Sequence, residues 1–542
     1  MTVPHAPIPT PANEPVRTYA PGSAERAALK SELDRMAGAA VDIPMWIGGK
    51  EERTGRVTEA RSPHDKALLL GRAHEGSGEH VGRAIGAALA ARRPWAAMSQ
   101  SERSAIFLKA AELAATTHRD RLNAATMLGQ SKTAYQAEID AACELVDFLR
   151  FNAYWAGRLA EPLEQSKGLW NSTDVRPLEG FVAAITPFNF TAIAANLPSA
   201  PAMLGNVVVW KPSPLAMRSA YEVMELFRAA GLPDGVINLV HGPAEELVGS
   251  CLASADLAGV HFTGSTAVFR SIWQKIGENI SSYKTYPRLV GETGGKDFVF
   301  AHASADLDAL AVALVRGAFE FQGQKCSAAS RAYIPRSIWP ALEERVAAHI
   351  AAIRVGDVRD FRNLMGAVID GRAYARLTSV IAEAKSSTDY RIVAGGGASD
   401  ERGWFVHPTL VESKSPDSRL MKDEFFGPIL TAWVYEDARV EEALEACDRT
   451  SGYALTGAVF SQDRTFLSHA AARLRDAAGN FYVNDKPTGA VVGQQPFGGG
   501  RASGTNDKAG SPLNLHRWVS PRSVKETFVP PHVVGYPSMD EA

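Results

Sequence analysis

The stretch Phe319-Glu-Phe-Gln-Gly-Gln-Lys-Cys326-Ser-Ala-Ala-Ser330 is the starting point for interpreting this chain. It follows an apolar run with helical spacing over residues 310–319, and Gly323 is the kind of residue at which such a helix stops. We therefore predict that Cys326 lies on a loop, among small and polar residues that leave room for a substrate. A thiolate in such a position is suited to nucleophilic catalysis.

A second stretch, Leu289-Val-Gly-Glu292-Thr-Gly-Gly-Lys296, lies upstream of the cysteine. Its pattern predicts a short apolar strand that ends in a carboxylate and a double glycine. One predicted helix separates Glu292 from Cys326, so the two side chains can meet in the folded chain. We interpret them as the base and the nucleophile of one active site.

The composition excludes several classes of protein. The chain has 542 residues, of which 46% are hydrophobic and 22% charged, as in a soluble globular protein of two or three domains. Its net charge of −3 gives no reason to expect nucleic acid or an anionic membrane as a partner. No apolar run is long enough for a membrane span. The first residues resemble neither a secretory signal nor a mitochondrial presequence, so neither is expected.

The four cysteines are widely spaced, at Cys143, Cys251, Cys326 and Cys447, and form no C-x-x-C pair. This spacing argues against a zinc ribbon or a disulfide framework and predicts a reducing, cytoplasmic location. We interpret the three cysteines other than Cys326 as small buried residues. The histidines are scattered without an H-E-x-x-H motif, so we expect no catalytic metal.

The order of strand-like and helix-like segments predicts an α/β fold. From 181 to 300, short apolar runs alternate with helical stretches in the manner of βαβ crossovers in a parallel sheet, and a second alternation runs from 305 to 484. Two long amphipathic helices are predicted before them, around 101–117 and 135–158. A charged residue on such a helix, here Glu144, is solvent-exposed by default.

Both ends of the chain have patterns of their own. Residues 1–40 hold several prolines and then a charged segment, which predicts an extended arm that leads into a short surface helix. The tail returns to a strand-like run over Ser523-Val-Lys-Glu-Thr-Phe528 before a proline-rich end. Pairing of this tail on another subunit would make an oligomer.

Polar segments follow three of the predicted strands, although neither G-x-G-x-x-G nor G-x-x-x-x-G-K-[ST] is present. They are Thr186-Pro-Phe-Asn189, Lys211-Pro-Ser213 and Gly264-Ser-Thr266. Ligands of open α/β sheets bind outside the carboxyl ends of the strands, so these segments lie where a nucleotide would bind. The Gly-Ser-Thr segment can offer N–H groups to a diphosphate, but such a segment is more often a simple N-cap.

Seven motifs make the chain resemble the aldehyde dehydrogenase superfamily over roughly residues 40–530, and they come in the order of that superfamily. The motifs are Pro187-Phe-Asn-Phe190, Trp210-Lys-Pro-Ser213, Phe262-Thr-Gly-Ser265, Glu292-Thr-Gly-Gly-Lys296, Gly323-Gln-x-Cys326, Glu424-Phe-Phe-Gly-Pro428 and Pro496-Phe-Gly-Gly499. Within the superfamily the chain is similar to the members that oxidise L-glutamate γ-semialdehyde. That similarity rests on Ala137–Leu145, Ile185–Thr191, Gly323–Ala328, Asn484–Gly489 and Gly504–Gly510.

The resemblance implies two doubly wound parallel-sheet domains and a small β oligomerisation element. The implied division is an N-terminal arm (1–40), an NAD-binding domain (41–158 and 181–300), a catalytic domain (301–510), and an oligomerisation hairpin with the C-terminal tail (159–180 and 511–542).

It also implies roles for individual residues. Cys326 would form a hemithioacetal with the aldehyde, Asn189 and the backbone N–H of Cys326 would stabilise its oxyanion, and Glu292 would activate the water that hydrolyses the thioester. The positions implied for NAD are Thr186, Lys211, Ser213, Gly264, Ser265, Thr266, Ala267, Val268, Glu424 and Phe426, with Glu424 on the nicotinamide ribose. The positions implied for the substrate are Glu144, Phe190, Lys325, Ser327, Gly489, Ala490 and Phe497.

Taken together, the resemblance implies NAD-dependent oxidation of L-glutamate γ-semialdehyde, which forms from 1-pyrroline-5-carboxylate without an enzyme, to L-glutamate in proline degradation. The chain is too short to hold a proline dehydrogenase domain as well, so a separate proline dehydrogenase is expected to supply the substrate. A homodimer or a higher homo-oligomer is also implied.

Three alternatives stay open from the residues alone. One is an aldehyde dehydrogenase with another substrate, such as succinate semialdehyde, which would give no reason for Glu144 and Lys325 beside the carboxylate loop. The second is a cysteine hydrolase or acyltransferase, which would need a histidine base near Cys326 and no nicotinamide. The third is a non-catalytic protein that kept the fold.

Overall fold

Two seven-stranded sheets form the framework of the protein in the computed structural model, which describes residues 8–160 and 162–540. The parts of the predicted arm, hairpin and tail that fall on residues 1–7, 161 and 541–542 lie outside the described residues.

The strands are β1 (Val41–Ile43), β2 (Met45–Ile47), β3 (Lys50–Glu52), β4 (Val57–Ser62), β5 (Asp65–His74), β6 (Leu169–Pro177), β7 (Phe181–Ile185), β8 (Val207–Lys211), β9 (Ile237–Leu239), β10 (Leu257–Thr263), β11 (Arg288–Glu292), β12 (Asp297–Ala301), β13 (Ala329–Pro335), β14 (Tyr390–Ala394), β15 (Ala398–Ser399), β16 (Phe405–Val406), β17 (Thr409–Ser413), β18 (Ile429–Tyr435), β19 (Tyr453–Ala454), β20 (Thr456–Phe460), β21 (Asn480–Val483), β22 (Gly500–Arg501) and β23 (Val519–Thr527).

The α-helices are α1 (Ala24–Gly38), α2 (Gly78–Ala97), α3 (Gln100–Ala115), α4 (Arg119–Gln130), α5 (Ala134–Ala137), α6 (Leu145–Ala156), α7 (Thr191–Met203), α8 (Met217–Ala230), α9 (Ala244–Ala253), α10 (Thr266–Glu278), α11 (Leu307–Phe319), α12 (Trp339–Ala352), α13 (Gly371–Ser386), α14 (Arg419–Lys422), α15 (Val440–Arg449), α16 (Arg464–Arg473) and α17 (Pro512–His516). A π-helical segment, Glu138–Glu144, joins α5 to α6.

The first sheet has the strand order β11-β10-β7-β8-β9-β2-β3. Its five strands from β11 to β9 are parallel, and β2 and β3 extend the edge in antiparallel fashion. Every residue of β8 and β10 is buried, as expected for parallel strands covered on both faces. The registers place Ile185 beside Lys211 and Thr263 beside Glu292, so the carboxyl ends of four strands meet at one edge.

The second sheet has the order β14-β17-β18-β13-β12-β20-β21 and is parallel apart from β14. Its strand β12 alternates between two hydrophobic clusters: Phe298 and Phe300 pack in one, Val299 and Ala301 in the other. Two layers of side chains therefore cover this sheet. Together the two sheets confirm the predicted α/β architecture.

The structure corrects the prediction of a hairpin near 160–180. The described part of that range contains one strand, β6, whose antiparallel partner is the distant C-terminal strand β23. The nine residue pairs run from Leu169 opposite Thr527 to Pro177 opposite Val519. Hairpin signals are local, and a strand that pairs across more than 300 residues of chain leaves no such signal.

The predicted surface helix of the arm is the 15-residue α1, which packs one face against the protein through Leu29, Leu33 and Met36. Another helical prediction needs correction. The predicted helix 135–158 is interrupted by the π-helical segment, and α4, which precedes it, was not predicted. No helix in the described part of the chain is long and apolar enough to cross a membrane.

Candidate active site

Cys326 lies in a turn between α11 and β13, as predicted, and only 8% of its surface is exposed. The chain before it is strained, because the non-glycine residues Phe321 and Gln322 have positive φ angles, of 52° and 56°. Gly323 continues this conformation at 65°, which a glycine adopts without strain. The side chain of Gln322 holds this conformation: its Nε2 donates to the carbonyl of Ala367 at 2.7 Å. The strained turn thus fixes the position of the thiol.

The double glycine after Glu292 allows the strand of the base to pack against this turn. A Cβ atom on Gly295 would lie 2.2 Å from the carbonyl oxygen of Cys326. A Cβ atom on Gly294 would lie 2.0 Å from Oε2 of Glu424. Any larger residue at either position would therefore push the turn or the Glu424 carboxylate away.

The surroundings of the thiol favour its neutral form. Burial is the main cause that raises the pKa of Cys326 well above its usual value, and the carboxylates of Glu292, Asp297 and Glu424 raise it further. The backbone N–H of the same residue acts in the opposite direction. The thiol is therefore held protonated until a proton acceptor or a positive charge comes close.

Burial also raises the pKa of Glu292, to about 8. The nearby ammonium group of Lys508 lowers this pKa, and the carboxyl group of Asp507 raises it. Lys508 is fixed by two carbonyl groups, since its Nζ donates to Gly479 at 2.8 Å and Gly498 at 2.9 Å. A carboxyl group with a pKa near neutrality is suited to accept a proton from water.

A cavity of about 330 Å³ brings most of the predicted reaction site together. Both of the residues interpreted as nucleophile and base line it. All seven predicted substrate positions line it too, namely Glu144, Phe190, Lys325, Ser327, Gly489, Ala490 and Phe497. Asn189 does not border this cavity, and its amide donates to the carbonyl of Gln324, two residues before the nucleophile, at 3.0 Å.

One end of the cavity is polar. Lys325 forms an ion pair with Glu320 at 3.2 Å, and the hydroxyl of Ser327 shares a hydrogen bond with Thr488 at 2.7 Å. Glu144 belongs to the π-helical segment and faces this cavity, so the default expectation of a solvent-exposed side chain is wrong. Burial, and after it the charge of Asp140, raises the pKa of Glu144 to about 8.

Most of the predicted cofactor positions lie along the edge where the strands of the first sheet end; Glu424 and Phe426 precede β18 of the second sheet. Thr186 follows β7, and its hydroxyl accepts a hydrogen bond from the Trp210 indole at 3.0 Å. Lys211 ends β8, and its burial lowers its pKa to about 8. Gly264 follows β10, and its N–H donates to the carbonyl of Glu292 at 3.2 Å, which joins this edge to the base.

The remaining cofactor positions have visible local roles. Ser265 caps α10 through its hydroxyl, as the N-cap interpretation of the Gly-Ser-Thr segment had it. Ser213 caps a short helical turn in the same way, and Thr266 donates to Thr293 at 3.0 Å. Ala267 and Val268 are exposed at the start of α10. Glu424 accepts a hydrogen bond from the N–H of Gly295 at 3.0 Å, and Phe426 contacts Phe188 edge to face.

Lys211 provides a test of whether this edge fits a nucleotide. Only 7% of this residue is exposed, yet its ammonium group forms no ion pair or hydrogen bond within the described part of the chain. A buried ammonium group without a partner needs acceptors from a ligand. Ribose hydroxyls would supply them, and the exposed first turn of α10, at the same edge of the sheet, would offer N–H groups to phosphates. The residues present therefore fit a nucleotide cofactor.

Comparison with known proteins decides the family. The model of the aldehyde dehydrogenase family matches residues 49–524 of this chain. The chain belongs to the aldehyde dehydrogenase family.

Individual members of this family are similar to the chain over almost its whole length. The protein of Dictyostelium discoideum named mitochondrial Delta-1-pyrroline-5-carboxylate dehydrogenase is 49% identical, covering 98% of this chain and 96% of that protein. The human protein of the same name is 47% identical, covering 96% and 92%. A crystal structure of Delta-pyrroline-5-carboxylate dehydrogenase from Mycobacterium tuberculosis bound with NAD has a TM-score of 0.96 and 52% identity, and covers 99% of each chain.

Several residues around this aldehyde dehydrogenase site were not predicted from the sequence. Lys508 lay in a segment that carried the resemblance, but no spacing linked it to Glu292. Lys132 and Asp140 form an ion pair at 2.6 Å with 1% of each side chain exposed, and Lys132 also lies over the Phe190 ring, 4.0 Å from its centre. Asp140 accepts the N–H groups that open α7. A charged pair with a spacing of eight residues is a weak signal in a sequence.

The cysteines outside the active site are buried and unpaired in the structure. All four cysteines are free and buried, which confirms the interpretation of Cys143, Cys251 and Cys447 as buried residues. In the described residues, no group of three or more His, Cys, Asp or Glu side chains is placed to hold a metal ion.

Proposed function

We propose that the protein oxidises L-glutamate γ-semialdehyde, formed from 1-pyrroline-5-carboxylate, to L-glutamate with NAD as the electron acceptor in proline degradation. The observation that carries this proposal is the single cavity that holds Cys326, Glu292 and a polar end with Glu144, Lys325 and Ser327. An aldehyde that also carries an α-ammonium and an α-carboxylate group needs a thiol and a base for its aldehyde group. It needs charged groups of both signs for the other two.

The comparisons support the substrate and the cofactor. Relatives that are 46–49% identical over almost the whole chain carry the name Delta-1-pyrroline-5-carboxylate dehydrogenase. The similar crystal structure from Mycobacterium tuberculosis is bound with NAD. The unpaired Lys211 and the exposed start of α10 agree with a dinucleotide at the strand ends.

In the first half of the proposed reaction, Cys326 passes its proton to a water molecule and its Sγ bonds to the aldehyde carbon, which gives a hemithioacetal. The aldehyde oxygen becomes an oxyanion, and the second N–H of the Asn189 amide and the N–H of Cys326 are the donors we assign to it. A nicotinamide held by Thr186, Lys211 and Glu424 would supply the hydride acceptor, and loss of hydride from this carbon would leave a thioester on Cys326.

In the second half, Glu292 takes a proton from a water molecule whose oxygen attacks the thioester carbon. The C–S bond breaks, the thiolate of Cys326 is restored and the carboxylic acid product leaves. Glu292 must be ionised for this step, and the positive charge of Lys508 favours that form.

The polar end of the cavity is assigned to the head of the substrate. Glu144 would pair with the α-ammonium group, and an adjacent positive charge would hold the carboxyl group of Glu144 ionised. Ser327 and the N–H groups of Gly489 and Ala490 would donate to the α-carboxylate. Phe190 and Phe497 would enclose the aliphatic part of the substrate.

The assembly and the location are also part of this proposal. We propose a homodimer or a higher homo-oligomer that forms through the β6–β23 ribbon, since Trp170 and Phe528 are exposed by 56% and 58% of their surfaces there. We propose a cytoplasmic location because the four buried cysteines are free, whereas several relatives are named as mitochondrial proteins. Light scattering of the purified chain measures the assembly directly.

We also propose that a separate proline dehydrogenase supplies the substrate. The chain is similar to a part of the proline utilization A protein of Bdellovibrio bacteriovorus. The match covers 97% of this chain and 54% of that protein, with a TM-score of 0.90 and 30% identity.

The deciding experiment is the formation of NADH with 1-pyrroline-5-carboxylate, repeated with NADP and with succinate semialdehyde. The proposal expects a clear preference for 1-pyrroline-5-carboxylate with NAD. If the protein turns over succinate semialdehyde but not 1-pyrroline-5-carboxylate, the assignments of Cys326 and Glu292 stand. The assignments at the polar end of the cavity are then rejected. Product formation without NAD would instead indicate a hydrolase.

A further inference from the structure

The N-terminal segment Asn13–Tyr19, here called the strap, packs against the π-helical segment and the start of α6. Backbone groups of the strap are fixed by carboxylates of those helices. The N–H of Glu14 donates to Asp147 at 2.7 Å, and the N–H of Arg17 donates to Glu138 at 2.8 Å. The hydroxyl at the end of the strap, that of Tyr19, also donates to Glu138, at 2.7 Å. The strap is therefore attached at both ends and not laid loosely on the surface.

A buried charge network strengthens this attachment. Arg119, with 2% of its side chain exposed, pairs with Glu14 of the strap at 2.6 Å and with Glu138 of the π-helical segment. The same guanidinium donates to the carbonyl of Pro15 at 2.8 Å. Arg150 of α6 is a second partner of Glu14, at 2.8 Å. Removal of the strap would leave Arg119 and Glu138 buried with fewer partners, which is costly.

The strap also reaches a second part of the cavity wall, the loop that contains Val492. The amide of Asn13 donates to the carbonyl of Val492 and to Asp147, each at 2.8 Å. The amide of Gln494 donates back to Asn13 at 2.9 Å. Val492 belongs to the loop that lines the cavity together with Gly489. The strap thus connects the helical wall with the loop wall.

Between these fixed points, Val16 borders the cavity in the company of Ile139, Glu144 and Phe148. We propose that the strap is a specificity element of the active site, in which Val16 closes the wall beside Glu144 and limits the size of the group that an aldehyde can carry there. This inference rests on the proposed function, since it concerns the same cavity. It gives the N-terminal arm a role in substrate choice as well as in packing.

The test compares two substitutions at Val16 in the full-length chain. Val16→Trp fills the space beside Glu144 and is expected to raise the KM for L-glutamate γ-semialdehyde by about tenfold or more. The same substitution should change kcat/KM for the short aldehyde propanal by less than about twofold. Val16→Ala opens the wall and is expected to raise kcat/KM for longer aliphatic aldehydes relative to propanal. Val57→Trp is the matched control, because Val57 and Val16 are both 45% exposed and Val57 does not border the cavity.

The outcomes separate this inference from the proposed function. If the unsubstituted protein oxidises aldehydes but not L-glutamate γ-semialdehyde, the proposed function fails, and the series of aldehydes still tests the wall. If both Val16 variants keep the aldehyde preference of the unsubstituted protein, the specificity role is refuted while the proposed function stands. If kcat/KM falls equally for all aldehydes and Tm is lowered, the strap has a purely structural role, and the specificity role is refuted as well.

Discussion

The substitution Glu292→Gln separates the two halves of the proposed reaction. Glutamine has nearly the same shape but cannot take a proton from water, so steady-state turnover should fall by about 10²–10⁴-fold, or about 3–5 kcal/mol in the barrier. The thioester forms before this step. We therefore expect a rapid burst of NADH, equal to the concentration of active sites, followed by a very slow steady state.

The pH profile of the unsubstituted enzyme supports the same assignment. With the pKa of Glu292 raised to about 8 by burial, only about one carboxyl group in ten is ionised at pH 7. Because the ionised form is the active base, the rate of thioester hydrolysis should rise about tenfold between pH 7 and pH 9. The residual rate of Glu292→Gln should not follow this rise.

Rapid mixing distinguishes this rise from titration of the thiol. Burial also raises the pKa of Cys326, so the rate of the burst depends on pH as well, and it must be measured apart from the steady state. A Glu292→Gln enzyme that turns over as fast as the unsubstituted one, or that shows no burst, would refute the assignment of Glu292 as the base for hydrolysis.

Three further predictions follow from the surroundings of the cavity. Lys508→Met should move the midpoint of the hydrolysis pH profile to higher pH, since the positive charge that lowers the pKa of the base is lost; Lys508→Arg should keep the midpoint. Glu144→Gln should raise the KM for L-glutamate γ-semialdehyde by about ten- to hundredfold, and it should raise the KM for propanal, which has no ammonium group, by much less. Asp140→Asn should lower the free energy of unfolding, measured with urea, by about 3–5 kcal/mol, because it leaves the buried Lys132 ammonium group without its anion. The control Glu442→Gln, which breaks an exposed ion pair, should cause no measurable change in this free energy.

Local patterns made the framework of the site predictable. The strand that ends at Glu292 and the turn that holds Cys326 are each encoded within about ten residues, by an apolar run and the glycines that follow it. Parallel strands bring their carboxyl ends to one edge, so the positions of Thr186, Lys211 and Gly264 followed from the order of the segments. The motifs of the family then supplied the substrate positions around these residues.

Long-range pairing was not predictable in the same way. The partner of β6 is β23, and the partners of the strap are helices more than 100 residues further along the chain. The π-helical segment also left no signal, because its residues have the same apolar spacing as an ordinary helix. Such contacts depend on which surfaces remain uncovered after the sheets have packed, and a pattern within one segment contains no information about that.

The ionisation states in the site are the least predictable feature and the one on which the chemistry depends most. A glutamate in a sequence is expected to be ionised at neutral pH, yet burial raises the pKa values of Glu144 and Glu292 to about 8. Each of these carboxyl groups has a lysine nearby that opposes the effect of burial, Lys132 for the first and Lys508 for the second. Under the proposed function, the arriving substrate ammonium group would ionise Glu144, whereas Glu292, ionised with the help of Lys508, would take a proton from water. Two chemically identical side chains in one cavity would then have different roles.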